Sequence, residues 1–484
     1  MNMPVRSAAD LLPILPELVV ILGAFALLML DLFVDERRRV VSHLFAIAVL
    51  AVATFMVATG VGGHGTVFSG MFVRDTAADV MKVTIGVVGI LAMIYTWPYL
   101  RARDLYKGEV SVLMLFATAG MMLLVSSGSL VMVYLGLEML ALCSYALVAI
   151  DRDSPLASEA AIKYFVLGAL ASGLLLYGLS LMYGATGSLQ LDQIATATQQ
   201  RIAEGNTLML ITAVVFIVAG IAFKFGAAPF HMWLPDVYHG APTPVTLFIG
   251  SAPKLAAFGM TFRLLEIGAP AFEGQWRLML AILAVLSLAI GNLSAMVQTN
   301  LKRLLAYSTI SHVGFLFVGL AGGGREGLAA ALFYAISYAI MSAAAFGAIV
   351  VLSRRGFEAD RIDDYKGLNA RNPWMAGLVL CVMASLAGVP PFLGFWSKLA
   401  VLRAALQGDM LWLTLVGVVF AVVGAFYYLR VIKVMYFDEP EGQAMEATDN
   451  RPLRIVFGVN ALALLALGLA WNPIMAWCQR AFAG

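Results

Sequence analysis

The stretch FKFGAAPFHMWLPDVYHGAPTPV, residues 223–245, breaks an apolar run with two prolines and decides how the chain folds. The run that leads into it, residues 206–232, is long enough to cross a bilayer as one helix. Pro229 and Pro235 each remove a backbone donor, so we predict two half-helices here. In a bilayer, such a break is stable only where protein or a polar cavity covers the freed backbone groups. The stretch therefore predicts a polar site between the helices of a membrane protein.

The composition is that of a chain embedded in a membrane. Of its 484 residues, 61% are hydrophobic and only 12% are charged, against about 25% charged residues in ordinary soluble domains. The mean hydropathy is +0.89, and the formal net charge of +2 is too small to indicate a nucleic-acid or acidic partner. Hydrophilic segments are short, so no separate soluble domain is expected.

The apolar runs predict an all-α polytopic membrane protein with about fourteen transmembrane helices. The twelfth run contains GVPPFLGFWSK, residues 388–398, where Pro390 and Pro391 predict a second broken helix. The predicted spans are 11–33, 41–60, 77–99, 109–127, 129–149, 159–183, 206–232, 244–266, 275–297, 302–321, 326–352, 374–404, 410–436 and 453–476.

The two breaks indicate an internal repeat. Their Pro–Phe pairs begin at Pro229 and Pro391, which are 162 positions apart. Two repeats of five helices account for this spacing, and because five is odd the second repeat must be inverted. Corresponding breaks in inverted repeats point to a transport site near the bilayer midplane. The predicted segments are a three-helix N-terminal segment at 1–108, a first repeat at 109–266, a second repeat at 275–436, and a loop with a C-terminal transmembrane helix at 437–484.

The positive charges of the loops are divided unevenly between the two sides. Of the 31 lysines and arginines, eighteen fall on one side, eight on the other, and five within the spans. Because cytoplasmic loops carry the excess of positive charge, we expect both termini to lie outside the cytoplasm. The first run, 11–33, is too long for a signal-peptide core and is expected to remain as a helix.

Charged residues inside the spans are the main functional signal. A lysine at the centre of a lipid-exposed helix costs about 2.5–3.5 kcal/mol, so each one needs a compensating interaction. Such residues usually mark ion or proton paths, although a lysine near a helix end can also extend to the membrane surface. The five lysines within predicted spans are Lys82, Lys163, Lys224, Lys254 and Lys398.

Four residues are the principal candidates for proton transfer. Glu138 lies in the middle of the fifth span, and Lys224 lies one turn before the first break. A Glu138–Lys224 pair that forms and opens would switch the lysine between holding and releasing its proton. The alternative is an ion pair that only holds helices together. Lys254, near the middle of the eighth span, and Lys398, after the second break, would continue the path.

Two further residues are auxiliary candidates, and each has a plainer alternative. His312 could pass protons between Lys254 and Lys398, or it could simply bond a neighbouring carbonyl. Lys163 could modulate the Glu138–Lys224 pair, or it could extend to the membrane surface.

Other charged residues near the spans are expected to be structural or solvated. We interpret Lys82 as structural, and Glu17 and Asp31 as residues that cap or dock the first helix. The loop that follows the first break contains further titratable groups. They could admit protons from the cytoplasm, or they could belong to a solvated turn: His231, Asp236 and His239.

The sequence gives no sign of a bound cofactor. It contains no phosphate-binding loop, dinucleotide fingerprint or haem-attachment motif. The three cysteines, Cys143, Cys381 and Cys478, have no metal-site spacing. We therefore expect no cofactor or metal on this chain. Its energy source should reach it through a partner or an ion gradient.

Four motifs of this chain, taken together with their order along the sequence, resemble those of the antiporter-like subunits of respiratory complex I (NADH:quinone oxidoreductase) and of the related Mrp-type cation/proton antiporters. The resemblance covers essentially the whole chain, and residues 223–245 are its most specific part. The other three motifs are YLGLEMLALCSY at 134–145, NLKRLLAYSTISHVGF at 300–315 and GVPPFLGFWSK at 388–398.

The resemblance implies a proton channel in the membrane arm of a bacterial complex I. It implies a glutamate–lysine pair, a central lysine and an exit lysine at Glu138, Lys224, Lys254 and Lys398, with Lys163 as an auxiliary. It also implies translocase activity driven by quinone reduction elsewhere in the complex, so that NADH and quinone are used by partner subunits and not by a redox site of this chain. The expected partners are other antiporter-like and small membrane subunits in the bacterial inner membrane, with both termini periplasmic.

Two other functions are compatible with the same residues. A subunit of a multi-subunit Mrp-type Na⁺/H⁺ antiporter would share the fold and most motifs. A structural scaffold that couples other pumps would use its charges only to hold helices together. A quinone-binding subunit has less support, because no headgroup site stands out.

Overall fold

The structure is a computed structural model that describes residues 8–205, 207–440 and 447–483. Its described part consists almost entirely of helices. The helices are α1 Leu15–Asp31, α2 Val40–Ala58, α3 Thr76–Ala102, α4 Gly108–Val125, α5 Leu130–Val148, α6 Pro155–Thr186, α7 Leu191–Ala203, α8 Leu208–Phe225, α9 Trp233–Gly240, α10 Thr243–Gly250, α11 Ala252–Thr261, α12 Glu273–Met296, α13 Leu301–Gly322, α14 Gly324–Leu352, α15 Leu368–Arg371, α16 Pro373–Ala387, α17 Leu393–Gln407, α18 Leu411–Phe437, α19 Arg451–Leu469 and α20 Asn472–Ala481.

The prediction of an all-α polytopic membrane protein is confirmed. Thirteen helices in the described part of the chain are long and apolar enough to cross a membrane. The remaining predicted span, the twelfth at 374–404, is the broken helix formed by α16 and α17, whose first half is itself a shorter apolar helix. The eighth predicted span coincides with one of the thirteen, although it is divided internally.

The two predicted breaks have the same local geometry. Each half-helix ends before a glycine in the left-handed region, Gly226 at φ +77° and Gly388 at φ +85°. The residue after each glycine donates to a carbonyl five positions earlier, Ala227 to Ala222 at 2.8 Å and Val389 to Ala384 at 3.0 Å. This bond is typical of a helix C-cap.

The shared geometry supports the repeat interpretation. The equivalent residues of the two breaks are 162 positions apart, which is the spacing of the two Pro–Phe pairs. Each break also contains one cis X–Pro bond, Ala228–Pro229 and Pro390–Pro391. We propose that the repeats have the boundaries 109–266 and 275–436.

The eighth span is divided where a single helix was expected. Its pieces are α10, α11 and a π-helical turn at Phe262–Ile267. Ser251, between α10 and α11, has the non-helical angles φ −111° and ψ −87°. Pro253 lacks an N–H and crowds the preceding turn, which explains the interruption. As a result, Lys254 lies in the first turn of α11 and not in the middle of a continuous helix.

Helices α13 and α14 form the centre of the bundle. In an apolar 18-residue stretch of each helix, 94% of the residues are buried inside the protein. A helix that is apolar on all sides is buried on all sides, so other helices surround this pair. His312 of α13 is therefore deep in protein, with 3% of its surface exposed.

A buried ion pair connects two helices of the N-terminal segment. Lys82 Nζ of α3 lies 2.6 Å from Glu17 Oε1 of α1, and both side chains are fully buried. Asp31, at the end of α1, accepts a hydrogen bond from Ser42 of α2 at 2.7 Å. These contacts connect the first three transmembrane helices to one another.

Three small elements were not predicted. Residues Gly65–Val67 (β1) and Phe72–Arg74 (β2) form an antiparallel hairpin with Gly65 opposite Arg74. α7 lies within the hydrophilic segment 185–205, and α20 follows the last transmembrane helix. Short strands and short helices carry too little periodic signal to stand out beside long apolar runs.

Candidate functional site

Glu138 and Lys224 lie near each other but do not form an ion pair. Glu138 is in the middle of α5, and Lys224 is the second-last residue of α8. The carboxylate is close enough to act electrostatically on the ammonium group. Among the described residues, Glu138 Oε1 is buried and has no hydrogen-bond partner. The two charged groups are therefore near each other but not in contact.

A small cavity, lined mostly by apolar residues, adjoins Lys224. It has about 20 Å³ open to the centre of a water molecule, which is enough for a single water. Lys224, Tyr145 and Tyr164 are among its lining residues and offer polar atoms. Gly168 makes room for this group, because a Cβ at that position would lie 2.0 Å from the Tyr145 hydroxyl oxygen. The cavity could hold a water beside the Lys224 ammonium.

Lys254 extends toward the first break. Its Nζ donates to the carbonyl oxygen of Phe225, the last residue of α8, at 2.9 Å. The same nitrogen lies 5.6 Å from the centre of the Trp233 ring. The C-terminal end of a helix carries a partial negative charge, so it stabilises a nearby cation. Lys254 is also within electrostatic range of Lys224, which places these two lysines in succession.

His312 is enclosed by tyrosines from two other helices. Its Nδ1 is 2.7 Å from the hydroxyl of Tyr334 in α14, and its Nε2 is 3.0 Å from the hydroxyl of Tyr428 in α18. Tyr428 also bonds Ser308, one turn earlier in α13. Bonded hydroxyls and imidazoles can both accept and donate, so this group can pass a proton along its hydrogen bonds.

Lys398 extends toward the second break, as Lys254 does toward the first. Its Nζ donates to the carbonyl oxygens of Leu386 at 3.0 Å and Ala387 at 2.9 Å, at the end of α16. The side chain is buried, and its ammonium group lies 5.3 Å from the centre of the Phe315 ring. Lys398 is within electrostatic range of His312. The buried groups thus fall into two sets, one with Glu138, Lys224 and Lys254 and one with His312 and Lys398.

Lys163 lies outside both sets of buried groups. Its ammonium group is 2.7 Å from Asp236 and 2.8 Å from Glu159, and 41% of the side chain is exposed. Asp236 also accepts from Arg303 of α13 at 2.9 Å. Burial opposes the charge on Asp236, but the hydrogen bonds and charges of Lys163 and Arg303 outweigh it and hold its pKa below the ordinary value. Lys163 therefore contacts Asp236, one of the titratable residues noted in the loop after the first break, and does not contact Glu138.

A polar group on the same side of the membrane was missed. Glu358 accepts hydrogen bonds from Tyr99 at 2.9 Å and from Arg103 at 2.9 Å, and it also bonds Thr243 at the start of α10. Lys302, the second residue of α13, is 4% exposed and donates to the Ala241 carbonyl oxygen at 2.7 Å. Glu358, Tyr99 and Arg103 belong to none of the four motifs, so distant pairing of this kind could not be predicted from one sequence.

The remaining loop histidines and the cysteines form no centre. Within the described residues, no group of three or more His, Cys, Asp and Glu side chains could hold a metal ion. Cys143, Cys381 and Cys478 are all unpaired thiols. Burial lowers the pKa of His231 and of His239, so both imidazoles favour the neutral form.

Comparison with known proteins agrees with the fold. Residues 127–424 match the family model described as NADH:quinone oxidoreductase/Mrp antiporter, transmembrane region. This match covers more than half of the chain. The chain belongs to this family of antiporter-like membrane proteins.

Similar curated proteins share one description. NADH-quinone oxidoreductase subunit N of Xanthomonas euvesicatoria pv. vesicatoria (strain 85-10) is 68% identical over 478 residues, which cover 99% of this chain and 98% of the relative. The subunit of the same name from Thioalkalivibrio sulfidiphilus (strain HL-EbGR7) is 50% identical, covering 95% and 96% of the two chains.

Solved structures show the same architecture. A chain of respiratory complex I from Thermus thermophilus with bound aureothin has a TM-score of 0.80 and 30% identity, covering 95% of this chain and 98% of that one. A chain of the Mrp complex from Dietzia sp. DQ12-45-1b has a TM-score of 0.80 at 23% identity, covering 99% and 97%. The latter likeness concerns the fold alone.

Proposed function

We propose that this chain is a membrane subunit of a bacterial NADH-quinone oxidoreductase, the counterpart of subunit N, and that it moves protons across the membrane. The near full-length identity of 68% to a protein of that name supports the first part. The same identity favours this role over that of an Mrp-type antiporter subunit, to which the likeness is one of fold. Neighbouring membrane subunits of the complex are the expected partners, and the bacterial inner membrane is the expected location, with both termini on the periplasmic side.

The observation that carries the second part is the burial of basic groups in both sets. Lys254 and Lys398 are 2% and 7% exposed, and each bonds backbone carbonyls where a carboxylate partner would be expected. An ammonium group held only by carbonyl oxygens can release its proton without leaving a buried carboxylate uncompensated. Such a group is better suited to proton transfer than a lysine locked in an ion pair.

Within this proposal, each candidate has one task. Protons enter on the cytoplasmic side and reach Lys224, whose proton affinity depends on the separation of the Glu138 carboxylate. They pass to Lys254, then through His312 and its tyrosines, and leave from Lys398. Lys163 acts indirectly, by holding Asp236 next to the first break. Quinone reduction elsewhere in the complex supplies the energy, and no redox step occurs on this chain.

The test is proton pumping by the assembled complex in inverted membrane vesicles. Glu138→Gln and Lys224→Met are expected to lower proton uptake at least fivefold, with normal assembly. Glu204→Gln, which neutralises an exposed carboxylate paired with Arg201, is the matched control and should pump normally. Undiminished pumping in both site variants would overturn the proposal. Normal assembly with lost pumping would speak against the role of a structural scaffold.

A further inference from the structure

A groove between α16 and α19 combines an apolar floor with a basic rim. Its volume is about 590 Å³, within the usual range for sites that take small molecules. The floor includes Met375, Ile455, Val459 and Leu462. Four residues at the rim carry hydrogen-bond donors, and no acidic side chain among the described residues lines the groove. The four are Asn372, Trp374, Arg451 and Arg454.

The rim lies at one end of both helices. Asn372 caps α16 by accepting from the Met375 amide at 3.2 Å, and Arg451 is the first residue of α19. The loop before α19 bonds the end of α14, where the Thr448 amide donates to the Val351 carbonyl, and the loop before α16 bonds the end of α18, where the Gly367 amide donates to the Val434 carbonyl. The basic rim is therefore at the membrane surface, and the apolar floor runs from it toward the bilayer centre.

The two rim arginines are available for a ligand. Arg451 and Arg454 are three positions apart on α19, so they point to the same side of the helix. Both are exposed, and neither forms an ion pair or a side-chain hydrogen bond within the part of the chain that the structure describes. Trp374 is 66% exposed beside them, at the level where tryptophan side chains meet lipid headgroups.

The dimensions of the groove fit one leaflet of a bilayer. From Arg451 to Leu462 the helix advances by about 16 Å, at 1.5 Å per residue. Half of the hydrocarbon core is about 15 Å thick. A headgroup at the arginines would thus place its acyl chain along Ile455, Val459 and Leu462. Of these floor residues, Ile455 and Val459 are each 65% exposed in the chain by itself.

We propose that this groove binds one phospholipid with an anionic headgroup. The phosphate accepts hydrogen bonds from Arg451, Arg454 and the free amide nitrogen of Asn372, and one acyl chain fills the floor between α16 and α19. Basic pockets between helices at the cytoplasmic surface are the sites where anionic lipids are recognised. The lipid would fix α19 against α16, the half-helix whose last carbonyls bond Lys398.

The test counts the phospholipids that remain after prolonged washing of the purified, full-length protein and its retained partners in mild detergent. Quantitative lipid mass spectrometry should find one anionic phospholipid fewer per chain in the Arg451→Gln/Arg454→Gln variant than in the unmodified protein. Arg152→Gln is the matched control, because Arg152 is an equally exposed arginine outside the groove. It should retain the full number.

A second variant separates lipid binding from charge and from folding. Val459→Trp fills the floor and leaves both arginines in place, and it should also lose one anionic phospholipid. An equal lipid count in both groove variants and the control would overturn the proposal. So would a density map of the assembled complex in which side chains of a partner subunit, or a zwitterionic lipid bound equally well without the arginines, occupy the groove.

Discussion

Lys254 and Lys398 have the same kind of partner: each donates to the last carbonyl groups of a half-helix, Lys254 at 2.9 Å and Lys398 at 2.9 and 3.0 Å. The two bonds occur at breaks that are related by 162 positions, although the lysines themselves are not equivalent in the repeats. The negative ends of α8 and α16 therefore each hold one buried ammonium group. Both lysines depend on the geometry of a break, so the breaks are direct targets for mutation.

Gly388→Ala should impair Lys398 without changing its charge. A Cβ at this position would lie 2.9 Å from Lys398 Cδ, and the φ of +85° disfavours any residue with a Cβ. We expect pumping to fall severalfold and the free energy of unfolding to fall by about 1–2 kcal/mol. Gly377→Ala is the control, since nothing lies within 4 Å of its added Cβ. Equal pumping by the two variants would be inconsistent with the role given to the second break.

Removing one partner of the Glu17–Lys82 pair should destabilise the protein without affecting the proton path. Leaving one buried charge without its partner costs about 3–5 kcal/mol, whereas replacing both by apolar side chains is often neutral. Lys82→Met should therefore lower the midpoint of thermal unfolding, and Glu17→Met/Lys82→Met should recover most of the loss. Per assembled complex, proton pumping should remain normal in the double variant. A double variant as unstable as the single one would show that the pair itself provides the stability.

Asp236→Asn should weaken the contact between α6, α9 and α13. The carboxylate is about one-third exposed, so we expect a moderate effect, a two- to fivefold decrease in pumping. Asp104→Asn removes a carboxylate from an exposed pair with Arg355 and should have no effect. Comparable pumping by both variants would show that Asp236 and its contact with Lys163 do not contribute to proton transfer.

The effect of Asp236→Asn should not change with pH between 6 and 8. The pKa of Asp236 is lower in the folded protein than in the unfolded chain, so its contribution is complete above the ordinary carboxylate pKa of about 3.9. It is lost only as the pH falls through the lowered pKa. The ratio of mutant to unmodified pumping should therefore be constant across this range. A ratio that rises or falls tenfold would mean that another group titrates with Asp236.

The membrane architecture could be predicted because long apolar runs and prolines act locally. The breaks at Pro229 and Pro391 follow from one missing N–H each, and the fourteen spans follow from length and hydropathy. The division of the eighth span at Ser251 was missed, although Pro253 lies near the middle of the predicted span 244–266, where a proline disrupts a helix as it does at the two predicted breaks.

The candidate site was predictable in its residue types but not in its contacts. A buried lysine is visible in a sequence, whereas the carbonyl that holds Lys254 comes from Phe225, 29 positions earlier. Glu358 was missed for the same reason, because its partners Tyr99 and Thr243 are 259 and 115 positions away. Lys163 was expected to act on Glu138, but its side chain extends to Asp236 and Glu159 at the half-exposed end of the helix.

The number of protons moved per electron in the reconstituted complex tests the central claim most directly. Lys254→Met keeps the length of the side chain but removes the ammonium group that bonds Phe225. Its control is Glu17→Met/Lys82→Met, which removes a buried lysine outside the proposed path. If protons cross through this chain, the ratio should fall in the Lys254→Met complex and stay unchanged in the control. An unchanged ratio in assembled Lys254→Met complex, at full rates of quinone reduction, would contradict the account.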